Sequence, residues 1–273
     1  MFRRSGLALA VLAALAAVPV ALAAYPSPYA SQGGEGVMSK DGSLRFVAVG
    51  QGADTVVKAV RRADGSVLMT QTLTGSFGVP MLTQNGPGGG LFRDGSTFVL
   101  QSTGYKPQTT FQLVGARDLA KRDTITLKGT FAFDALSPDA SRLYLIQHTS
   151  VDDLNHYVVR AYDLGEHALV PGKIADKSQK GWVMQGFPTA RISTADGRWV
   201  YTLYSNPGGY PFVHALDTVR GVAHCVGVKW TSVDQGPLFS FKLGLKGHKL
   251  VLFRADNSVY RVIDRKTWRV TTR

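Results

Sequence analysis

One local pattern recurs five times along the chain, and it constrains the fold more than any other feature. Each copy is a tight turn followed by a β-branched or aromatic run. The turns are Ser39-Lys40-Asp41-Gly42-Ser43, Phe92-Arg93-Asp94-Gly95-Ser96, Ser137-Pro138-Asp139-Ala140-Ser141, Thr194-Ala195-Asp196-Gly197-Arg198 and Leu245-Lys246-Gly247-His248. Asp-Gly between apolar runs signals a hairpin, because both residues tolerate the positive φ that a tight turn needs. A second turn follows in each unit, at Asp64, Asp118, Asp163, Asp217 and Asp264, again between strand-like runs. Short acidic side chains stabilise such turns by accepting from their own backbone. Each unit therefore reads as four strands, A to D, with the first turn between A and B and the second between C and D.

Four antiparallel strands repeated about every 50 residues predict a β-propeller, because one sheet cannot bury both of its faces and radially stacked sheets cover one another. The expectation is an all-β protein with a single β-propeller domain over 24–273. Its five four-stranded blades fall near 33–76, 77–129, 130–180, 181–231 and 232–273. A pair of β-sandwiches is the competing architecture, and the unit-by-unit recurrence argues against it.

Within this frame, Ser137-Pro138-Asp139-Ala140-Ser141-Arg142-Leu143-Tyr144-Leu145-Ile146 resembles the repeat signature of the YVTN/lactonase-like and WD40-like bacterial propellers. Thr194–Tyr204 and Val259–Val270 carry weaker forms of it. The resemblance implies fold but names no activity, since such repeats serve binding proteins, scaffolds and several enzymes.

The N-terminus reads as an export leader over residues 1–23. Arg3 and Arg4 precede the apolar run Leu7–Val18, and Ala21-Leu22-Ala23 fits a small-x-small cleavage site. An uncleaved anchor is the alternative, and membrane contact is expected only in that case. The destination expected is secreted, extracellular or cell envelope. The chain has 31 Lys+Arg against 19 Asp+Glu, a net charge of +12. Without residues 1–23 the count is 29 against 19, a net of +10; outside a cell that excess suits an envelope ligand such as an anionic polymer or a protein, the alternative being that it only keeps the protein soluble. The basic residues are scattered rather than clustered, which argues against nucleic acid as the partner. A single cysteine excludes an intrachain disulfide framework and any CxxC motif.

In a propeller the B–C and D–A connections share one face, and here they are the longer set. Tyr105, Lys106, Tyr157, Trp182 and Tyr210 lie in or beside these loops and are the expected ligand contacts: aromatic area at low rotamer cost, and one cation. The most metal-like cluster is His148, Asp152, Asp153 and His156, whose spacing matches no established site. No cofactor is expected. The leaderless chain holds only Glu35 and Glu166 as glutamates, and most of its aspartates sit in the repeated turns, which disfavours a glycosidase. There is no Gly-x-Ser-x-Gly element, and Gly86–Gly90 lacks the Lys-Ser/Thr of a phosphate loop. Cys225 neighbours His224, but adjacent strand residues point to opposite faces, so the expected state is an inert, buried thiol. The reading is a binding module; a lactonase-like or other hydrolase with a site at the channel mouth is the alternative.

Overall fold

The computed structural model describes residues 30–84, 86–104, 107–152, 154–176, 181 and 183–272. Five antiparallel sheets follow one another along the chain. Strand β1 (Ala30–Ser31) precedes blade 1, which is β2 (Val37–Met38), β3 (Leu44–Gln51), β4 (Asp54–Arg61) and β5 (Val67–Leu73). Blade 2 is β6 (Phe77–Pro80), β7 (Thr97–Ser102), β8 (Gln108–Gly115) and β9 (Lys121–Lys128). Blade 3 is β10 (Phe131–Leu136), β11 (Arg142–His148), β12 (His156–Asp163) and β13 (Ala168–Leu169), with β14 (Met184–Gln185) also pairing β12. Blade 4 is β15 (Phe187–Ser193), β16 (Trp199–Ser205), β17 (Phe212–Asp217) and β18 (Val222–Gly227). Blade 5 is β19 (Lys242–Lys246), β20 (Lys249–Phe253), β21 (Val259–Asp264) and β22 (Val270–Thr271). The protein is a five-bladed β-propeller.

The turn aspartates account for the hairpins. Asp41, Asp94, Asp139 and Asp196 each accept from the backbone N–H two residues on. Asp64, Asp118, Asp163, Asp217 and Asp264 do the same in the C–D turns. These bonds favour the carboxylate. With the Ser39 and Ser43 hydroxyls donating as well, Asp41 is held down to about 2. The A–B turns gather on one rim: Gly95 lies against Lys40, and Gly197 against Arg93 and Pro138. Blade 5 has no aspartate in its A–B turn; Asp256 instead braces its B–C turn, accepting from Ser258.

Blades pack face to face through alternating apolar residues. Phe46 of blade 1 stacks on Phe98 of blade 2 with ring centroids 4.7 Å apart. Shared apolar clusters join blades 1 and 2, 2 and 3, 3 and 4, and 4 and 5. Among the described residues no such cluster joins blade 5 to blade 1, and Lys242, Lys246 and Lys249 of blade 5 are exposed. Blade 5 is assembled from C-terminal strands alone. The N-terminal β1 does not add to it; β1 pairs with β6 on the channel side of blade 2 (Ala30↔Pro80). No helix among the described residues is long and apolar enough to cross a membrane.

Candidate functional site

Among the described residues, blade 3 has no continuous outer strand. Strand β12 is paired at one end by β13, in its middle by a single bridge to Ile174, and at the other end by β14. A cleft of 420 Å³ opens there, lined by Asp176, Met184 and Gln185 on the blade 3 side and by Asn206, Tyr210 and Cys225 on the blade 4 side.

The rim is braced by amides. Gln185 Nε2 donates to Asn206 Oδ1 at 2.9 Å, and Asn206 Nδ2 donates to the Tyr210 carbonyl at 3.2 Å. Gln235, from the connection after blade 4, accepts from the Asn206 N–H and donates to the Asn206 and Gly209 carbonyls. This net fixes the loop that carries Tyr210, whose residue is 67% exposed.

Behind the cleft, a row of side chains crosses blade 4. Arg191, Thr202, His214 and Cys225 are direct cross-strand partners on four successive strands, so all four project from one face. At the channel end, Arg191 Nη1 donates to Asp134 Oδ1 at 2.7 Å and to Thr202 Oγ1 at 2.9 Å, and Nη2 donates to the Asp134 carbonyl. At the cleft end, the Cys225 N–H donates to Asp176 Oδ2 at 2.8 Å. Between them His214 Nδ1 lies 3.6 Å from Cys225 Sγ. His214 is 2% exposed, and its Nε2 has no partner.

Burial decides the protonation of this pair. Desolvation holds the His214 imidazole down to about 4, so it is neutral at pH 7. Burial and the Asp176 carboxylate push the Cys225 thiol up to about 12. A thiol beside a neutral imidazole is not the thiolate–imidazolium of a cysteine nucleophile. The row places Cys225 at the cleft and His214 behind it, without activating the thiol for attack.

Of the expected contacts, Tyr210 lines this cleft. Tyr157 does not reach the surface: it is 1% exposed, and its hydroxyl donates to the Gly186 carbonyl at 3.0 Å. Blade 3 packs against a neighbour on each face, so an aromatic beside one of its loops is as readily core as contact. Tyr105, Lys106, Trp182 and Asp153 lie outside the described residues, as does the leader expected over 1–23. His148 and His156 do not converge. His148 pairs across the sheet with Tyr157, so His156, one residue earlier, points to the opposite face. His148 is buried with Nδ1 3.0 Å from the Leu154 carbonyl, while His156 and Asp152 are exposed. Among the described residues no three His, Cys, Asp or Glu side chains gather to hold a metal. The alternation rule also settles His224. It leaves Cys225 and packs against Trp268 at 4.6 Å on the other face.

Counting outward from the Asp217 turn pairs residue 214 with 225, so the His214–Cys225 partnership carried a signal in the sequence. Gly186, beside β14, has φ +107°, and a Cβ there would collide with the Ser205 carbonyl oxygen. Gly186→Ala is expected to destabilise the protein by about 2 kcal/mol or more, read as a lower urea midpoint. An unchanged midpoint would show that this wall of the cleft relaxes freely.

No protein-family model matches the chain, and no curated protein matches it. Solved structures do. Hydrazine synthase of Kuenenia stuttgartiensis is similar at TM-score 0.53 and 14% identity, over 84% of this chain and 63% of that one. Dihydro-heme d1 dehydrogenase NirN aligns at TM-score 0.50 and 16% identity, over 91% of this chain and 47% of that one. The Dos1 propeller aligns at TM-score 0.49 and 10% identity, over 86% of this chain and 57% of that one. The chain thus spans less than two thirds of the length of each. At these identities the likeness extends to the propeller fold and no further.

Proposed function

We propose that this chain is a secreted or cell-envelope β-propeller that binds its ligand without transforming it, and that the ligand seats in the cleft between blades 3 and 4. The observation that carries this reading is the braced rim: an exposed aromatic held by an amide network over a 420 Å³ recess whose floor is uncharged apart from Asp176. Small-ligand sites combine apolar walls with a few placed polar groups in this way. The Tyr210 ring offers a stacking face, and the Gln185 and Asn206 amides offer orienting hydrogen bonds. The carboxylate of Asp176 favours a neutral ring-bearing group, such as a sugar unit of a wall polymer, over an anionic one at this seat. The positive net charge then serves approach to an anionic envelope rather than contact in the cleft.

The test is binding of the purified protein to an oligosaccharide array and to insoluble wall polymer. Tyr210→Ala is expected to weaken retention about tenfold or more while leaving the melting temperature unchanged, because the ring contributes little to the core. Equal retention of the variant, or turnover of a lactone or glycoside by the wild-type protein, would overturn the reading.

A further inference from the structure

Among the described residues, His214 stands out as a buried imidazole with no oxygen or nitrogen partner at either ring nitrogen. Nε2 has none, and Nδ1 meets only the Cys225 sulfur. Burying a polar ring without hydrogen bonds costs free energy, and native interiors rarely leave it so. The residue is held there by its place in the cross-strand row, with Nδ1 aimed at the one cysteine of the chain.

The spacing of the pair has a chemical meaning. A metal with sulfur at about 2.3 Å and imidazole nitrogen at about 2.0 Å separates those donors by about 3.5 Å at a tetrahedral angle and slightly more at a trigonal one. The 3.6 Å thiol–imidazole contact falls within that range. Cys225 lines the cleft, so an ion can arrive from solvent, and Met184 lines the same cleft.

We infer that the floor of the cleft is a binding site for one soft monovalent d10 ion, Cu(I) or its analogue Ag(I), held by Cys225 Sγ and His214 Nδ1 with the Met184 thioether as third donor. The donor types set the choice. Thiolate, imidazole and thioether select soft ions, whereas a hard dication prefers several carboxylates, and among the described residues no three His, Cys, Asp or Glu side chains gather. Charge balance agrees: the ion displaces the thiol proton to solvent, and the +1 ion with one thiolate is neutral, so binding adds no charge to that of the Asp176 carboxylate. No electron is transferred. The neutral imidazole offers its lone pair with no proton to expel. The inference is independent of the organic ligand proposed for the rim, and its test uses no such ligand.

The full protein would be titrated anaerobically against the Cu(I)–bicinchoninate complex, following loss of the indicator's colour. Wild-type protein is expected to withdraw one equivalent. Cys225→Ser, a near-isosteric change, is expected to weaken uptake about a hundredfold, and Met184→Leu about tenfold or less. His214→Gln should match Cys225→Ser if it retains the wild-type circular dichroism. If it unfolds, Cys225→Ser decides alone. Bound Cu(I) should also block modification of Cys225 by dithiodipyridine. Failure of the wild-type protein to take up Cu(I), or uptake by Cys225→Ser equal to wild type, would overturn the site.

Discussion

Asp134→Ala is expected to cost about 3–5 kcal/mol of folding stability, because it leaves the Arg191 guanidinium buried without its counter-charge. The Asp134 side chain is 5% exposed and that of Arg191 10%. The pair spans the junction of blades 3 and 4, joining β10 to β15, and Arg191 also donates to the Asp134 carbonyl and to Thr202. Removing the carboxylate takes one of these acceptors and keeps the desolvated charge. The double replacement Asp134→Leu with Arg191→Met is expected to lose much less, since it removes both charges together and keeps the volume. Urea denaturation with an unchanged slope reads both variants. A loss below about 1 kcal/mol for Asp134→Ala would mean that water reaches the guanidinium from the channel.

The second large effect is a fall in stability between about pH 6.5 and pH 4 that traces to His214. In the native state burial lowers this imidazole from 6.5 to about 4; Asp134 and Asp176 draw the proton in while Arg191 repels it, and desolvation outweighs them. The sign follows from proton uptake. Below about 6.5 the unfolded chain takes up a proton that the native state refuses until about pH 4, so stability is fully present above the unfolded value and lost as the pH falls between the two. The shift corresponds to about 3 kcal/mol over that window, after which the native state protonates as well and the loss levels off. Thermal melts of metal-free protein across this range would show the slope. His214→Leu should flatten it, and a slope that persists undiminished would place the titration elsewhere.

These effects lie on a row that local sequence describes only in part. Alternation along β17 and β18, with the Asp217 turn as origin, is enough to set His214 opposite Cys225, because antiparallel register propagates residue by residue from the turn. The contact between Arg191 and Asp134 is different. Each follows or occupies an irregularity in its strand, with register shifts between Pro188 and Ala190 and between Phe133 and Ala135. A bulge resets which face a side chain takes, and nothing in the one-dimensional pattern announces these two. Tyr157 shows the same limit from another side. Its place beside a loop was legible, but its burial depends on the blade that covers it.

What the sequence by itself determined is everything that rests on short-range chemistry. The Asp-Gly and Asp-bearing turns, the four-strand unit and its five-fold recurrence all follow from turn aspartates bonding their own backbone and from period-two alternation, which act within a few residues. What only the tertiary structure decided is which faces meet and where a cleft is left between them. The outer edge of blade 3 among the described residues, the cleft beside it, and the docking of β1 on β6 all depend on contacts between segments far apart in the chain. Such contacts are selected by the mutual burial of whole sheets, a property of the stacked blades that no single repeat carries.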